Sequence, residues 1–266
     1  MMSMLRATVL CSFVAASAQA QPYDISDYVA EIGMENATTA VVVKRLSDGH
    51  VWSSNFARAE ERFQPASTSK IPHTLIALES GFATPETTFE WDGKERFMDS
   101  WNQDQSLVSA YQRSAVWVYQ HITTSLGQDK MSEWLQAFDY GNADIGDEAS
   151  LDNYWLRGPL AISAEEQIDF LARLAQDDLP LAPATYADAR KIMMEAEAGG
   201  ARLYAKTGYS LRRGQEDLGW YGGWIETGEE TYVFALNMDL SGFDQAPQRK
   251  VLARHVLARL DIFPAP

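Results

Sequence analysis

The sequence predicts an α+β sandwich: a central antiparallel sheet drawn from both ends of the chain, with a helical lobe inserted between them. Three observations carry this. A β-branched run over 39–44 stands near the start, and extended apolar runs over 201–210, 220–226 and 231–239 stand near the end. The stretch between, roughly 85–200, reads as helices and loops.

Taken in order, the elements each have a local cause. Arg6, an apolar run over 7–16 and the small-x-small end Ala18-Gln19-Ala20 read as a secretory signal peptide cleaved after Ala20, which places the mature protein outside the cytoplasm, in the periplasm. Residues 21–266 are then expected to form one catalytic domain. Cys11, the only cysteine, leaves with the signal, so the mature chain has no disulfide; Leu10 before it is too large for a lipoprotein cleavage site. The strand at 39–44 meets the turn Ser47-Asp48-Gly49 and returns over 50–53. Pro65 precedes a helical run over 67–79 that ends at Ser80-Gly81. Pro72, early in that run, implies that the turn before it is tightened or offset from the helix proper. Ser163-Ala164-Glu165-Glu166 is a capping box opening a helix over 167–174. A last helix starts near Pro247 and carries Leu252, Val256 and Leu260 at helical spacing.

Composition narrows the function. With 46% hydrophobic residues in 266, the chain can bury a sizeable core. No run approaches the ~18 apolar residues of a membrane span, so no membrane anchor is expected. The formal charge is −15, and −16 (21 − 37) once Arg6 is removed with the signal. So acidic a chain is a poor partner for nucleic acid or an anionic membrane, and an anionic substrate needs a local cluster of Lys and Arg. His50, His73, His121 and His255 show no zinc spacing, and no G-x-S-x-G elbow is present. Neither a metal nor another cofactor is expected. A monomer or homodimer fits equally well.

Two strings point to chemistry. Ser67-Thr68-Ser69-Lys70 puts a hydroxyl and an amine one helical turn apart, the minimal pairing of nucleophile and base. Lys206-Thr207-Gly208 lies in a strand-like run far downstream. Ser-x-x-Lys followed by Lys-Thr-Gly is a paired signature of penicillin-recognising serine enzymes. Alone, each residue has a bland reading: Ser67 a cap, Lys70 a solvated side chain, Ser114 a helix-face hydroxyl, Trp155 one core tryptophan among eight. Tyr140-Gly141-Asn142 reads as a structural turn with positive φ at Gly141.

Together with Ser114-Ala115-Val116, Tyr140-Gly141-Asn142, Trp155-Leu156-Arg157-Gly158 and Arg249, in that order, these motifs make the chain resemble the class D serine β-lactamases, the oxacillinases, over essentially the whole mature length. The resemblance implies the β-lactamase/transpeptidase-like version of the sandwich and a β-lactam as the small-molecule substrate. It also implies hydrolysis through an acyl-serine, with resistance as the consequence. In these roles Ser67 is the nucleophile and Lys70, N-carboxylated by CO2, the general base. Trp155 donates to the carbamate. Ser114 relays a proton toward the leaving nitrogen, beside the positive charge of Lys206. Val116, Leu156 and Trp155 keep Lys70 dry, which lowers an amine's pKa. Backbone N–H groups of Ser67 and Tyr209 form the oxyanion hole. Thr207, in the Thr207-Gly208 motif, and Arg249 bind the substrate carboxylate, although Arg212, Arg213, Lys250 and Arg254 are competing cations. The chain departs from the family pattern at Ser69, where an aromatic residue is usual, and at His73. Two other readings compete: a penicillin-binding peptidase or sensor that acylates and releases slowly, opposed by Val116 and Trp155, and an idle binding module.

Overall fold

The computed structural model describes residues 22–264, so the signal-peptide reading of residues 1–20 lies outside the described residues. Among these residues nine strands and nine α-helices follow in chain order. The first part holds β1 (Tyr23–Asp24), α1 (Ser26–Ala30), β2 (Thr39–Arg45), β3 (Val51–Ser53), α2 (Phe56–Glu60) and α3 (Lys70–Glu79). The middle holds β4 (Thr88–Phe89), β5 (Gln105–Ser106), α4 (Leu107–Gln112), α5 (Val116–Leu126), α6 (Gln128–Ala137), α7 (Ala164–Ala175) and α8 (Pro183–Met193). The last part is β6 (Met194–Ala198), β7 (Ala201–Ser210), β8 (Asp217–Glu226), β9 (Thr231–Leu240) and α9 (Gln248–Arg259).

Seven strands form one sheet in the order β1-β3-β2-β9-β8-β7-β6. The pairings are antiparallel except for the short β1–β3 contact. Strands from the two chain ends meet where β2 pairs with β9, with Val42 opposite Ala235. The sheet therefore joins N- and C-terminal pieces as expected, with the helices between.

Side chains on a strand alternate faces, and here both faces are covered. Ala40, Val42, Tyr204, Val233 and Ala235 pack into the core shared with α3 to α8. Val41, Val43, Leu203, Ala205, Phe234 and Leu236 pack into a second core against α1 and α9. Two-sided burial is why these strands read as continuous apolar runs. On β7 the parity that sends Tyr204 toward the helical lobe sends Lys206 and Gly208 the same way.

Local chemistry accounts for most boundaries. Ser163 Oγ accepts from the Glu166 N–H at 3.1 Å, and Glu166 Oε2 accepts from the Ser163 N–H at 2.9 Å, so the capping box forms as read. Gly141 does sit at φ +59, and a Cβ there would lie 2.3 Å from the Ala161 carbonyl oxygen, so only glycine fits. Residues 67–79 are not one helix. Ala66–Ser69 is a 3-10 turn and α3 starts at Lys70, the offset that Pro72 implies, since its missing N–H falls in the first α-turn. The helical insert ends at Met193 rather than near 200, because Met194–Ala198 pairs with β7 as an edge strand, and the insert carries the small β4–β5 hairpin. Within the middle stretch, α4 and α5 are separated at Ser114, whose φ is +58. Among the described residues no helix is long and apolar enough to cross a membrane.

Because the capping box ties the start of α7 to the loop before it, Ser163→Ala is expected to cost about 1 kcal/mol of stability, read as a lower urea midpoint with an unchanged slope. An unchanged midpoint would show that the box contributes nothing.

Candidate active site

The sequence from Phe63 to Lys70 is held from both lobes before it reaches its reactive residues. Phe63 bridges Ile162, Gln64 Nε2 donates to the Gly158 carbonyl at 2.9 Å, and the Ala66 N–H donates to the Trp155 carbonyl at 3.0 Å. On the sheet side, the Trp220 indole N–H donates to the Gln64 carbonyl at 3.0 Å. Ala66, immediately before Ser67, has φ +49, a left-handed conformation that an alanine adopts only when its surroundings impose it.

The 3-10 turn then delivers Ser67 next to Lys70. Lys70 Nζ lies 2.8 Å from Ser67 Oγ. Ser67 is half-buried, whereas Lys70 is wholly excluded from water. Burial first, and the nearby Lys206 charge second, push the Lys70 amine well below the ordinary ammonium range. The Tyr119 ring centroid stands 5.1 Å from Nζ, and Tyr119 is itself fixed by a 2.8 Å hydrogen bond to Thr74 on α3. Ser69, where the family usually has an aromatic residue, donates its hydroxyl to the Ala66 carbonyl at 2.7 Å and so closes the turn on itself.

β7 lies against this turn. A Cβ on Gly208 would come within 3.0 Å of the Pro65 carbonyl oxygen and 3.4 Å of the Ser67 nitrogen, so a glycine lets the strand approach Ser67. β6 pairs with β7 only as far as Tyr204, so among the described residues Ala205–Ser210 have a strand neighbour, β8, on one side only. Such an edge is open to pairing with an extended amide ligand. Lys206 is buried there, its Nζ 3.1 Å from the Thr207 carbonyl, and burial together with Arg249 and Lys250 lowers its pKa to about 7.

Arg249 stands out from its competitors. It donates from Nη1 to the Gly208 carbonyl and from Nε to the Ala246 carbonyl, the latter at 2.6 Å. Gly219 makes room for its stem, since a Cβ there would meet Arg249 Cδ at 2.8 Å. Arg212 instead pairs with Asp239, Lys250 with Glu195, Arg254 stacks on Phe263, and Arg213 is exposed. Among the described residues no carboxylate pairs with Lys70, Lys206 or Arg249. Arg249 and the partly charged Lys206, with Lys70 beside them, make a carboxylate-free basic cluster in so acidic a chain, the local feature that its net charge demands for an anionic ligand.

The remaining expected residues fall around these. Trp155 is fully buried, its indole N–H without a hydrogen-bond partner. Ser114 and Val116 flank the α4–α5 break, and Leu156 is half-buried on the main core. Tyr209 turns its ring to the opposite sheet face, where it donates to Asp217 and lies 6.0 Å from the Arg249 guanidinium; only its backbone faces the edge. Tyr119 and Tyr154 have no motif to single them out, because a buried tyrosine and a core tyrosine look alike in sequence. His73 was visible only as a departure from pattern. It is wholly buried, its ring 4.9 Å from Trp155, and burial aided by the Lys70 charge lowers it to about 3. Among the described residues no grouping of three or more His, Cys, Asp or Glu side chains is suited to a metal ion.

Known proteins share this architecture. A family model described as the penicillin-binding protein transpeptidase domain matches residues 15–258. β-Lactamase OXA-48 of Klebsiella pneumoniae is 39% identical over 214 residues, 80% of either chain. OXA-5 of Pseudomonas aeruginosa is 36% identical over 263 residues, 97% of either chain. The class D β-lactamase YbXI from Nostoc superposes with a TM-score of 0.86 at 30% identity, covering 91% of this chain and all (100%) of that one. FUS-1 (OXA-85) from Fusobacterium nucleatum subsp. polymorphum gives 0.83 at 34% identity, covering 89% and 96%.

The buried imidazole has a measurable signature. His73 titrates near 3 when folded and near the ordinary 6.5 when unfolded, so between those values the unfolded chain binds the extra proton and stability falls as pH falls. Wild type is expected to lose about 2 kcal/mol more than His73→Asn between pH 7 and pH 5 in urea unfolding. Parallel pH dependences would contradict a neutral buried ring.

Proposed function

Because the chain belongs to the class D serine β-lactamases, on the penicillin-binding transpeptidase fold, we propose a division of labour among its own residues for hydrolysing the β-lactam amide. The enzyme opens the ring through an acyl-serine and so confers β-lactam resistance. The observation that carries the assignment of residues is the 2.8 Å approach of a wholly buried Lys70 Nζ to Ser67 Oγ.

Ser67 Oγ adds to the lactam carbonyl carbon as its proton leaves toward the Lys70 side. The carbonyl carbon–nitrogen bond breaks, the nitrogen takes a proton, and an ester remains on Ser67. Water then adds to that ester, the product carboxylate leaves, and Ser67 recovers its proton. Ser114 passes a proton toward the lactam nitrogen. Lys206, with a pKa of about 7, is poised to give or take a proton at neutrality. The Ser67 and Tyr209 N–H groups hold the developing oxyanion, each worth roughly 3–4 kcal/mol in comparable enzymes. Thr207 and the carboxylate-free Arg249 guanidinium hold the substrate carboxylate, with Gly208 allowing the close approach. Val116 and Leu156 wall the apolar side.

N-carboxylation of Lys70 supplies a base with two oxygens where the amine offers one lone pair. Two features of the chain fit that group. The amine is dry and shifted toward its neutral, CO2-reactive form, and the buried Trp155 N–H has no other acceptor. Export to the periplasm, read from residues 1–20, fits a substrate that attacks cell-wall synthesis.

Mass spectrometry and steady-state hydrolysis of a penicillin, with bicarbonate present, test this reading. Ser67→Ala is expected to form no adduct. Lys70→Ala is expected to lose roughly 10²–10⁴-fold in turnover and to retain whatever adduct it forms. Stripping CO2 or lowering the pH slows wild type, and bicarbonate restores it. Wild type unacylated at Ser67, or fully active without CO2, would overturn the assignment, and a persistent wild-type adduct would favour a penicillin-binding role. Separately, Arg249→Ala is expected to lower kcat/KM roughly 10- to 100-fold, mainly through KM, for substrates bearing the ring carboxylate. An equal loss for a decarboxylated analogue would argue for a structural role.

A further inference from the structure

His73 is a fully buried polar side chain that none of these steps uses. It follows Lys70 by three residues on α3, so both side chains leave one helix face. Its ring meets Trp155 edge-on at 4.9 Å and Tyr154 at 5.5 Å. Nε2 lies 2.7 Å from the Tyr154 hydroxyl, while Nδ1 is buried with no hydrogen-bond partner.

These contacts select a tautomer. The Tyr154 hydroxyl has one proton, and among the described residues His73 is its one hydrogen-bond partner. With the imidazole proton on Nε2, both the Tyr154 O–H and the Nδ1 lone pair would be stranded. With the proton on Nδ1, the hydroxyl donates to Nε2 and a single N–H is left over. Burial keeps the Tyr154 phenol protonated and the His73 ring neutral, so no other charge state competes near pH 7.

Two N–H donors, His73 Nδ1 and Trp155 Nε1, thus end without partners among the described residues, in the aromatic cluster that covers the buried Lys70 amine. Unpaired buried donors are costly, and an anionic acceptor with two oxygens would satisfy both. Ser69, the other departure from the family pattern, offers no donor, since its hydroxyl is given to Ala66. We propose that His73, held by Tyr154 as the Nδ1–H tautomer, is a second hydrogen-bond donor alongside Trp155 to the carboxyl group carried by Lys70. This rests on the carboxylated-lysine reading above. His73 acts on the base rather than on the β-lactam, so it is a positioning residue.

NMR of the purified full-length mature enzyme, labelled with 15N-histidine and titrated with 13C-bicarbonate, reads the group directly and without turnover. In wild type, His73 is expected as the Nδ1–H tautomer, with that N–H resonance moving as the carbamate signal grows. His73→Leu is expected to need roughly 10- to 100-fold more bicarbonate for half-maximal carbamate signal. His73→Asn, whose side-chain amide N–H stands close to where Nδ1 does, is expected to stay within a few-fold of wild type. An Nε2–H tautomer in wild type with bicarbonate bound, or a leucine variant that carboxylates like wild type, would overturn the proposal while leaving the carboxylated base intact. The tautomer measurement stands even if the leucine variant does not fold. A wild type with no carbamate signal at all would instead defeat the carboxylated-lysine reading, and this proposal with it.

Discussion

An amine sealed from water, with no carboxylate beside it among the described residues, sets the terms for this site. Lys70 reaches full burial with a serine hydroxyl, an aromatic face and a second lysine as its surroundings. Such a group stays charged only at high cost, so the protein favours its neutral form. A charged partner would have cancelled that effect: an Asp or Glu at this position would hold the proton on nitrogen. That no carboxylate among the described residues pairs with Lys70, Lys206 or Arg249 is therefore as much a part of the site as the basic groups themselves, and it is achieved in a chain with 37 acidic residues.

Keeping that amine dry and aligned takes strain and bracing from several directions. Ala66 and Ser114 both sit at positive φ, each at a cost of about 1–3 kcal/mol, and both lie on the motifs that the catalytic reading uses. The surrounding structure sustains these conformations. The Trp155 carbonyl and the bond from Trp220 to Gln64 pin the segment around Ala66, and the Ser114 N–H donates to the Tyr111 carbonyl at 3.1 Å. The helical lobe thus supplies the aromatic seal while the sheet supplies the open edge and its cations. Gly208 is where the two come close enough to share a ligand.

The competing cations near the chain end illustrate how electrostatics sorts residues of one type. Arg212 lies two residues past the last β7 strand position, yet Asp239 holds it, and Glu195 holds Lys250. Arg249 is left with carbonyl oxygens alone, its burial lowering its pKa to about 10 without discharging it at neutrality. A guanidinium kept charged and carboxylate-free at a strand edge is a standing site for an anionic ligand.

Much of this was legible in the chain itself because it depends on local rules. The capping box at Ser163, the positive φ at Gly141, the offset before Pro72 and the strand runs at both ends each follow from residues a few positions apart. The Ser67–Lys70 pairing is equally local, since one turn of chain brings the two atoms together. Other features had no local sign. Met194–Ala198 has polar residues and becomes a strand only because β7 offers it an edge. The break at Ser114, with its positive φ, separates α4 from α5 without any Gly or Pro to mark it. The choice of Arg249 over its neighbours, the Tyr119 face over Lys70 and the Tyr154–His73 pair depend on contacts across long separations in sequence, and no spacing rule encodes them. Residue order determined which groups exist and which near neighbours share a turn. Only the folded chain decided which of them lose water, and desolvation is what shifts one common lysine toward its neutral form.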